Sequence, residues 1–508
     1  MAINAKELYT KLENERAYYL RRARDSALLT IPSLMTEEHF ANSAQVLPDP
    51  YQSVGARGVN NLSAALLLSL SPPNTPFFRL VLDTEAEAQF QGIPNIKTEI
   101  DQALGHAERT ILKEIEIQQY RPSLSEALKQ LLIAGNVLLH FPEDGGIRVI
   151  KLDRYVIQRD PMGRLLKVIT KECIATVLLP EEVQQQIGQT PNMDEVDLYT
   201  CVQAVSDTDY VVYQQAGDVL LNEEPIEYTN ETLPYLPLRM VKVDGEHYGR
   251  SYVEEYMGDL KSLEGLAQSI VEGAAASAKV LFLVNPNGLT DEATLAESPN
   301  GAIVTGVASD VTTLQVQKSA DLSVAAQTAN AIEERLSYAF MLTENTIRNA
   351  ERVTAEEIRL VSQAVERQLG GIYSVLSQEL QLPLVMRLLS QLEKEGKLPK
   401  IDRKYIDPVI VTGLDALGRG QDLSKLDAFV SGIGQMFGPE AVAEVLNLRE
   451  YMDRRAAALG IDPSDLVKSE EQVAQEGAAA QNAQALQNAI PQAVGGLGNV
   501  ASAQVNSQ

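Results

Sequence analysis

The pattern of apolar and polar positions predicts an α+β chain that is mainly helical. Apolar residues at helical spacing indicate four helices in the first part of the chain, over about 4–30, 53–70, 95–119 and 123–135. Asn4 is a candidate N-cap of the first helix, and Ser123 with Glu126 forms a capping box that predicts the start of the fourth. Gly135 supplies a left-handed stop after that helix.

Short strands separated by turn residues follow the four helices. Strand candidates lie at 136–141, 148–152, 156–159, 165–170, 199–205 and 210–214, with a short acidic helix near 180–186. Gly145 and Gly146 stand between the first two strands and indicate a hairpin turn. The pattern therefore predicts a β-rich block that continues to about residue 243.

Three long amphipathic helices come next. Ser251 and Glu254 form a second capping box, and the apolar stripe behind it predicts one unbroken helix over 251–278. Such a helix is about 42 Å long, which is unusual in a globular domain. A second helix is predicted over 321–341, and a third over 354–392 with a kink at its internal proline.

The segments around these helices differ in character. Strand candidates between the first two helices lie at 280–285, 302–305 and 313–317, and a polar stretch over 343–352 separates the second from the third. A smaller helical region is expected over 415–458. The final residues, 477–508, carry no charge and consist mostly of Ala, Gln, Asn and Gly, which is typical of a low-complexity tail.

Small residues mark one face on each of the first two long helices. They are Ala274, Ala275 and Ala278 on the first helix, and Ala325 and Ala329 on the second. We expect these alanines to let the helices pack closely against copies of themselves. An antiparallel helix pair of this kind is poorly stable alone, and it fits one stave of a ring better than an isolated domain.

Charge and cysteine content narrow the class of protein. The 69 acidic and 43 basic residues give a net charge of −26, which argues against a basic domain that grips nucleic acid by its phosphates. Such a charge leaves open a protein through which DNA slides. Cys173 and Cys201 form no CxxC motif, and we expect both to be packed thiols in a reducing compartment. Four arginines in the first helix, Arg16, Arg21, Arg22 and Arg24, are expected to form a solvated or ion-paired face.

A search for catalytic chemistry finds no motif. The sequence contains no GxxxxGK[ST], HExxH, GxSxG or GxGxxG, and its four histidines have no partner at metal-ligand spacing. We therefore expect no catalytic residue, no metal site, no cofactor and no enzymatic activity. Acidic pairs such as Glu254 with Glu255 leave an acidic metal-dependent nuclease as an alternative. Capping and the helix dipole explain these pairs, because they lie in the first turns of helices. No apolar stretch approaches the length that spans a bilayer, and the first residues lack the apolar core of a signal peptide, so no membrane partner is expected.

Many long segments, in order along the chain, resemble the portal (head-to-tail connector) proteins of T7-like podoviruses. The segments are YQSVGARGVNNL (51–62), EALKQLLIAGNVLL (126–139), YVIQRD (155–160), YGRSYVEEYMGDLKSLE (248–264), RLSYAFML (335–342), ERVTAEEIR (351–359), LGGIYSVLSQELQLPLV (369–385) and GRGQDLSKL (418–426). The resemblance fades over 180–230 and after about 440. A scaffolding or internal virion protein, which would form no closed ring, is the second alternative.

The resemblance implies the viral portal fold, with long stem helices, a β-rich wing and clip, and a helical crown. The implied parts are a wing (1–250), a stem helix (251–278), a clip (279–320), a second stem helix (321–342), a tunnel loop or valve (343–353), a long helix returning to the wing (354–415), a crown (416–476) and the low-complexity tail (477–508). Arg348 and Arg352, and more weakly Arg359, are implied candidates for the DNA channel. The opposing interpretation is that these arginines pair with neighbouring acidic residues.

The resemblance also implies the partners. They are eleven further copies in a ring of twelve, double-stranded DNA in the channel, the large terminase subunit, tail adaptor proteins, and the major capsid, scaffolding and internal core proteins. The implied location is one capsid vertex at the head–tail junction, after assembly in the cytoplasm of a bacterial host. The missing nucleotide-binding motif agrees with this, since ATP hydrolysis would belong to the terminase.

Overall fold

The computed structural model describes the chain in segments, which are residues 4–36, 47–73, 76–82, 96–187, 195–221, 224–278, 281–299, 301–314, 319–342, 355–399, 406–410, 427–433, 435–436 and 451–452. The chain divides into two compact units, Met1–Ala416 and Leu417–Gln508. In the second unit residues 427–433 are helical, and the Tyr451 hydroxyl donates to Asp427 Oδ1 at 2.6 Å. The first unit mixes helices and strands and is mainly helical, as predicted.

Four helices and one strand open the first unit. They are α1 (Ala5–Leu28), α2 (Val54–Leu70), β1 (Phe78–Leu82), α3 (Ile96–Ile117) and α4 (Tyr120–Ala134). Asn4 caps α1 as predicted, because its side chain accepts from the Glu7 backbone N–H at 3.3 Å. The apolar faces of these helices share one large core, in which Val59, Leu62 and Leu131 are fully buried.

The predicted start of α4 is wrong. The helix begins at Tyr120, after Gln119 in the left-handed region (φ 51°), and Ser123 lies inside it rather than capping it. Pro122 is tolerated there because the first turn of a helix has no intrahelical partner for its N–H groups. The buried Tyr120 anchors this extra turn. The predicted stop is confirmed, since Gly135 has φ 73°.

Two antiparallel sheets follow. Their strands are β2 (Asn136–His140), β3 (Arg148–Ile150), β4 (Tyr155–Arg159), β5 (Leu165–Ala175), β6 (Glu195–Ala204), β7 (Asp209–Ala216), β8 (Val219–Leu220), β9 (Ile226–Thr229) and β10 (Tyr235–Arg239), with helix α5 (Glu181–Ile187) after β5. One sheet has the order β10–β2–β3, and the other the order β4–β5–β6–β7–β8 with β9 also paired to β7. In the larger sheet Ile169 lies opposite both Val156 and Cys201. The predicted β-rich block is confirmed.

Two long helices with a β connection between them come next. The long helices are α7 (Met257–Ala278) and α9 (Ser319–Ala339), and the short helix α6 (Tyr252–Glu255) precedes α7. Between α7 and α9 lie β11 (Leu281–Val284), α8 (Glu292–Glu297) and β12 (Val311–Leu314). The prediction of one unbroken helix over 251–278 is wrong, since the helix is interrupted at Tyr256. The predicted strand at 302–305 does not form, and α8 was not predicted.

The third long helix has an irregular course. It comprises α10 (Ala355–Leu376), a π-helical turn (Ser377–Gln381) and α11 (Leu382–Lys394), and strand β13 (Ile406–Ile410) then pairs with β1. Gly370 has non-helical backbone angles inside α10. At the predicted kink, the helix forms a π-helical turn that ends two residues before Pro383. Pro383 has no N–H to donate to the preceding turn, which favours an irregular turn there. The predicted start of this helix, at residue 354, lies outside the described residues.

One expectation about side chains is confirmed in part, and another is wrong. Arg16 is ion-paired, with Glu13, but it is not solvated: its side chain is 1% exposed, and its guanidinium also donates to the carbonyl oxygens of Leu152, Asp153 and Tyr155 at 2.6–3.2 Å. A buried guanidinium needs hydrogen-bond acceptors, and these carbonyl oxygens provide them. Arg16 therefore holds α1 against the segment that leads into β4. Cys173 is exposed rather than packed, whereas Cys201 is buried as expected.

Candidate functional site: the paired helices and the segment between them

The helices α7 and α9 pack against each other. Gly273 permits close contact, since a Cβ atom there would lie 2.9 Å from Leu322 Cδ2. Near the start of α7 and the end of α9, an ion pair joins the two helices, with Arg335 Nη2 2.8 Å from Asp259 Oδ1. This bond raises the pKa of Arg335, which stays charged.

The bases of the two helices end in an aromatic cluster that α2 covers. The ring of Phe340 lies 5.8 Å from that of Tyr252 and 5.7 Å from that of Tyr256, measured between centroids. The Tyr252 hydroxyl donates to the Ala339 carbonyl oxygen at 2.8 Å, and burial raises the pKa of Tyr252 well above its usual value. A Cβ atom at Gly58 of α2 would lie 2.6 Å from Phe340 Cγ, so only glycine fits there. The interruption at Tyr256 places both tyrosines against Phe340.

Helix α9 ends in a tightly bonded turn. Met341 adopts the left-handed region (φ 58°), and the Leu342 N–H donates to the Ser337 carbonyl oxygen at 2.7 Å. The Asn61 side-chain amide donates to the carbonyl oxygens of Phe340 and Met341 at 3.2 and 3.0 Å. Orphan carbonyl groups at the helix end are thereby satisfied, and a non-glycine residue is held in a costly conformation. Helix α2 therefore holds the end of α9 in place.

The start of the pair is bonded as firmly to α1 and α4. Ser251 caps α6 as predicted, because its hydroxyl oxygen accepts from the Glu254 N–H at 3.2 Å, and it also donates to the Leu132 carbonyl oxygen at 2.9 Å. Arg22 of α1 pairs with Glu254 at 2.7 Å. The guanidinium of Arg250 lies over the rings of Tyr18 and Tyr19 at 5.4 and 5.2 Å. These contacts are cation–π and charge-assisted, and they fix the direction of the helix pair.

The segment between the helices, residues 281–314, has its own small network. Strands β11 and β12 pair in antiparallel fashion, and the Asp310 carboxylate accepts from the Leu289 N–H at 2.8 Å and from the Thr290 hydroxyl at 3.2 Å. Gly288 is required beside it, since a Cβ atom there would lie 2.5 Å from Asp310 Cγ. Leu289 and Ile303 are nonetheless exposed.

Both long helices present apolar residues to solvent. On α9, Val324, Ala331 and Tyr338 recur every seven residues and are all exposed, Val324 at 64% and Tyr338 at 69%. On α7, Val271, Ala274 and Ala275 share a helix face at spacings of three and four and are exposed. Ala325 and Ala329 are half-buried, and the side chain of Ala278 lies outside the described residues. The alanines therefore remain predicted contacts between copies.

The candidate channel arginines are not brought together by the described structure. Arg348 and Arg352 lie outside the described residues, and Arg359 lies in α10 with its side chain outside them. Among the residues that are described, no group of three or more His, Cys, Asp or Glu side chains could hold a metal ion. None of the described helices is long and apolar enough to cross a membrane.

Sequence reasoning missed Gly58 and Asn61. A glycine inside a helix costs about 1 kcal/mol relative to alanine, so its presence there indicates that another group approaches the helix closely. This signal could have identified Gly58. Asn61 carries no local signal, since its two acceptors lie about 280 residues further along the chain.

Comparison with known proteins gives the class. Residues 2–467 match the family model described as bacteriophage head to tail connecting protein. The portal proteins of Enterobacteria phage T3 and Escherichia phage T7 are 43% and 42% identical over 92% and 93% of this chain, and 89% of each relative is covered. A solved structure titled the neck of an empty GTA particle, with C6 symmetry, aligns at a TM-score of 0.39 and 13% identity over 81% of this chain and 91% of its own.

The chain belongs to the bacteriophage head to tail connecting protein family, as a portal protein of the T7-like group. The resemblance found in the sequence is thereby confirmed. Portal proteins are structural proteins of the virion head–tail junction rather than enzymes, so the expectation of no enzymatic activity is confirmed by the family. The nuclease and scaffolding alternatives are dropped.

Proposed function

We propose that twelve copies of the chain form a closed ring at one capsid vertex, through which double-stranded DNA is packaged and later ejected. The observation that carries this proposal is the exposed apolar stripe on α9 together with the exposed apolar face of α7. Exposed apolar faces on a helix pair bonded firmly at its base suit contacts with identical neighbours. The ring also serves as a platform for the terminase and the tail adaptor proteins, and it contacts the capsid, scaffolding and internal core proteins.

The proposed parts follow the order of the chain. The wing comprises 1–250, the stem helices 251–278 and 321–342, the clip 279–320, and the tunnel loop 343–353. The helix over 354–415 returns to the wing, 416–476 form the crown, and 477–508 its tail. Support for the stem and clip comes from α7 and α9, which pack side by side with the segment 281–314 between their far ends.

The channel chemistry follows from charge. Helices α7 and α9 together carry six acidic residues and two basic ones, so a lumen that they line repels phosphate and lets DNA slide. Arg348, Arg352 and Arg359 are proposed as the few basic groups near the valve. Replacing Arg348 and Arg352 by alanine is expected to change packaging, DNA retention or ejection, and unchanged values of all three would remove the valve role.

The ring is tested by breaking the stripe on α9. The double variant Val324→Glu with Tyr338→Glu is expected to remain folded by circular dichroism but to give no rings in negative-stain microscopy, since it places carboxylates in an apolar contact. Val205→Glu is the matched control, because Val205 is equally exposed (67%) and lies on the β-rich block. It should assemble like the wild type. Rings formed by the double variant would contradict the proposed interface.

Ionic strength gives a second measure of the same assembly. Twelve copies of −26 give −312, so repulsion between subunits must be offset by counterions, cross-subunit pairs and apolar burial. Lowering the salt concentration lengthens the Debye screening distance and is expected to loosen the ring. A ring whose dissociation does not depend on salt would contradict this account.

A further inference from the structure

Two adjacent apolar side chains project from the β-rich block into solvent. Val177 and Leu178 lie in the turn between β5 and α5, and their exposed fractions are 76% and 74%. Among the described residues, no other two consecutive large apolar residues are both exposed. Single exposed apolar residues are normal on a protein surface, but an adjacent pair presents a larger apolar area that gains free energy when a partner covers it.

The turn that carries this pair is firmly held. The side-chain amide of Gln184 in α5 donates to the carbonyl oxygens of Val177 and Leu179 at 3.3 and 2.6 Å. Leu179, which directly follows the pair, is buried in a small apolar cluster with Val183 and Val196. The pair is therefore presented in a defined position, and little ordering of this turn is needed when a partner binds.

The surroundings of the pair are acidic. Residues 172–238 contain 13 acidic residues and no Lys, Arg or His, so this stretch carries half of the net charge of −26. Glu181 and Glu182 are exposed in the first turn of α5. Glu195 of β6 is also exposed and lies opposite Ala175, two residues before the pair. The apolar pair is thus bordered by carboxylates on both sides along the chain.

These carboxylates are not neutralised by the described part of the chain. Glu181, Glu182 and Glu195 form no ion pair with a described Lys or Arg. Three cations of the surrounding elements are already bonded to other carboxylates, Lys6 to Asp218, Lys171 to Asp197 and Arg148 to Glu172. A second copy of the same surface does not fit here, because it brings like charges, and nucleic acid does not fit for the same reason.

We propose that the Val177–Leu178 pair, with Glu181, Glu182 and Glu195 around it, is a docking surface for a basic amphipathic segment of another protein. Such a segment presents apolar side chains that cover the pair, and lysines or arginines that meet the carboxylates. The surface belongs to other elements than the paired helices and the segment 281–314, so it goes beyond the proposed ring contact.

A fluorescent reporter at the pair tests the proposal. The chain contains no tryptophan, so Leu178→Trp places a single indole ring on the surface. The full-length variant is titrated with a short amphipathic peptide of leucine and lysine, and a saturable blue shift of the emission is expected because the peptide covers the ring. In this background Val177→Ser should weaken the binding about tenfold, through lost apolar burial. Glu181→Gln with Glu182→Gln should also weaken it about tenfold, through lost charge pairing.

Met162→Trp is the matched reporter at another site. Met162 is as exposed as Leu178 (74%), but a cation lies beside it, since Lys242 Nζ donates to the Met162 carbonyl oxygen at 3.5 Å. The leucine–lysine peptide should leave its emission unchanged, and a leucine–glutamate peptide should shift neither reporter. An equal shift at Met162→Trp, or an equal shift with the glutamate peptide, would overturn the proposal. Val177→Trp is a second reporter should Leu178→Trp fail to fold, and no saturable shift at either position would also overturn it.

Ring assembly separates this proposal from the proposed function. Val177→Ser with Leu178→Ser should form rings like those of the wild type in negative-stain microscopy. Loss of rings in this variant alone would mean that a neighbouring copy covers the pair, which contradicts the docking of another protein. Absence of rings from the wild type would instead contradict the proposed function and leave the peptide titration as the test of this surface.

Discussion

The two halves of the α7–α9 pair differ in what covers them. Near the base, Leu260, Leu263, Ile332 and Leu336 are all buried in the main core. Towards the segment 281–314, Val271 and Val324 are more than half exposed. The same amphipathic pattern therefore has two outcomes along one pair of helices. One chain is sufficient to bury the near half, whereas the apolar residues of the far half stay exposed in the single chain and are the proposed contacts with neighbouring copies.

The near half is stabilised by contacts that are remote in sequence. Phe340 is fully buried between Tyr252 of α6, Tyr256 at the interruption and Gly58 of α2. Asn61 holds the end of α9. In the far half, Gly273 makes a close contact with Leu322. The ion pair of Arg335 with Asp259 lies on its base side and is exposed. Substitutions should therefore cost most at the base and least on the exposed surface, and three predictions test this.

The largest effect is expected for Phe340→Ala. The change removes a buried ring and leaves a cavity at the base, so the free energy of unfolding should fall by about 3–5 kcal/mol. Urea denaturation of the unassembled chain measures it. Tyr338→Ala, two residues earlier and exposed, should change that free energy by less than about 0.5 kcal/mol. Equal losses for both variants would remove the distinction between buried base and exposed stripe.

A series of glycine-to-alanine changes gives an intermediate effect. Gly58→Ala forces its Cβ atom against the Phe340 ring and should destabilise the chain by about 1–3 kcal/mol. Gly265→Ala meets no atom within 4 Å and should stabilise α7 by up to about 1 kcal/mol. Gly273→Ala should lie between them, because the methyl group of Leu322 can move aside. Thermal unfolding ranks the three, and a destabilising Gly265→Ala would contradict the comparison.

The smallest effect is expected for Arg335→Gln. The ion pair with Asp259 is exposed, and solvent and salt screen it. The melting temperature of the unassembled chain at physiological salt should be indistinguishable from that of the wild type. A fall as large as that of Gly58→Ala would mean that the ion pair, and not the apolar base, holds the helices together.

Much of the fold could be predicted because its signals are local. The caps at Asn4 and Ser251 and the stop at Gly135 involve residues within a few positions of each other, and all three are confirmed. The helical stripe of α9 was predicted with bounds close to those observed. Errors arose where a distant contact overrode the local pattern. Tyr256 interrupts the predicted helix where its ring packs against Phe340, which is 84 positions away.

The candidate site was predictable to a lesser degree. The helix pair, its β connection and the exposed alanines of α7 follow from spacing, since periodicity reports which residues share a face. Spacing does not report which face another part of the chain will cover. Arg16 illustrates this: the sequence shows only a charge in a basic stretch, and the carbonyl oxygens that bury it come from residues 152–155.

The sequence by itself determined the order of helices and strands, the negative charge and the family, because each depends on local backbone preference, on composition or on matching segments. Only the tertiary structure decided that Gly58 and Asn61 hold the end of α9, that α7 starts after a break, and that carbonyl oxygens of residues 152–155 surround Arg16. The physical reason is that burial and hydrogen-bond partners depend on residues brought together across hundreds of positions, and no local pattern specifies them.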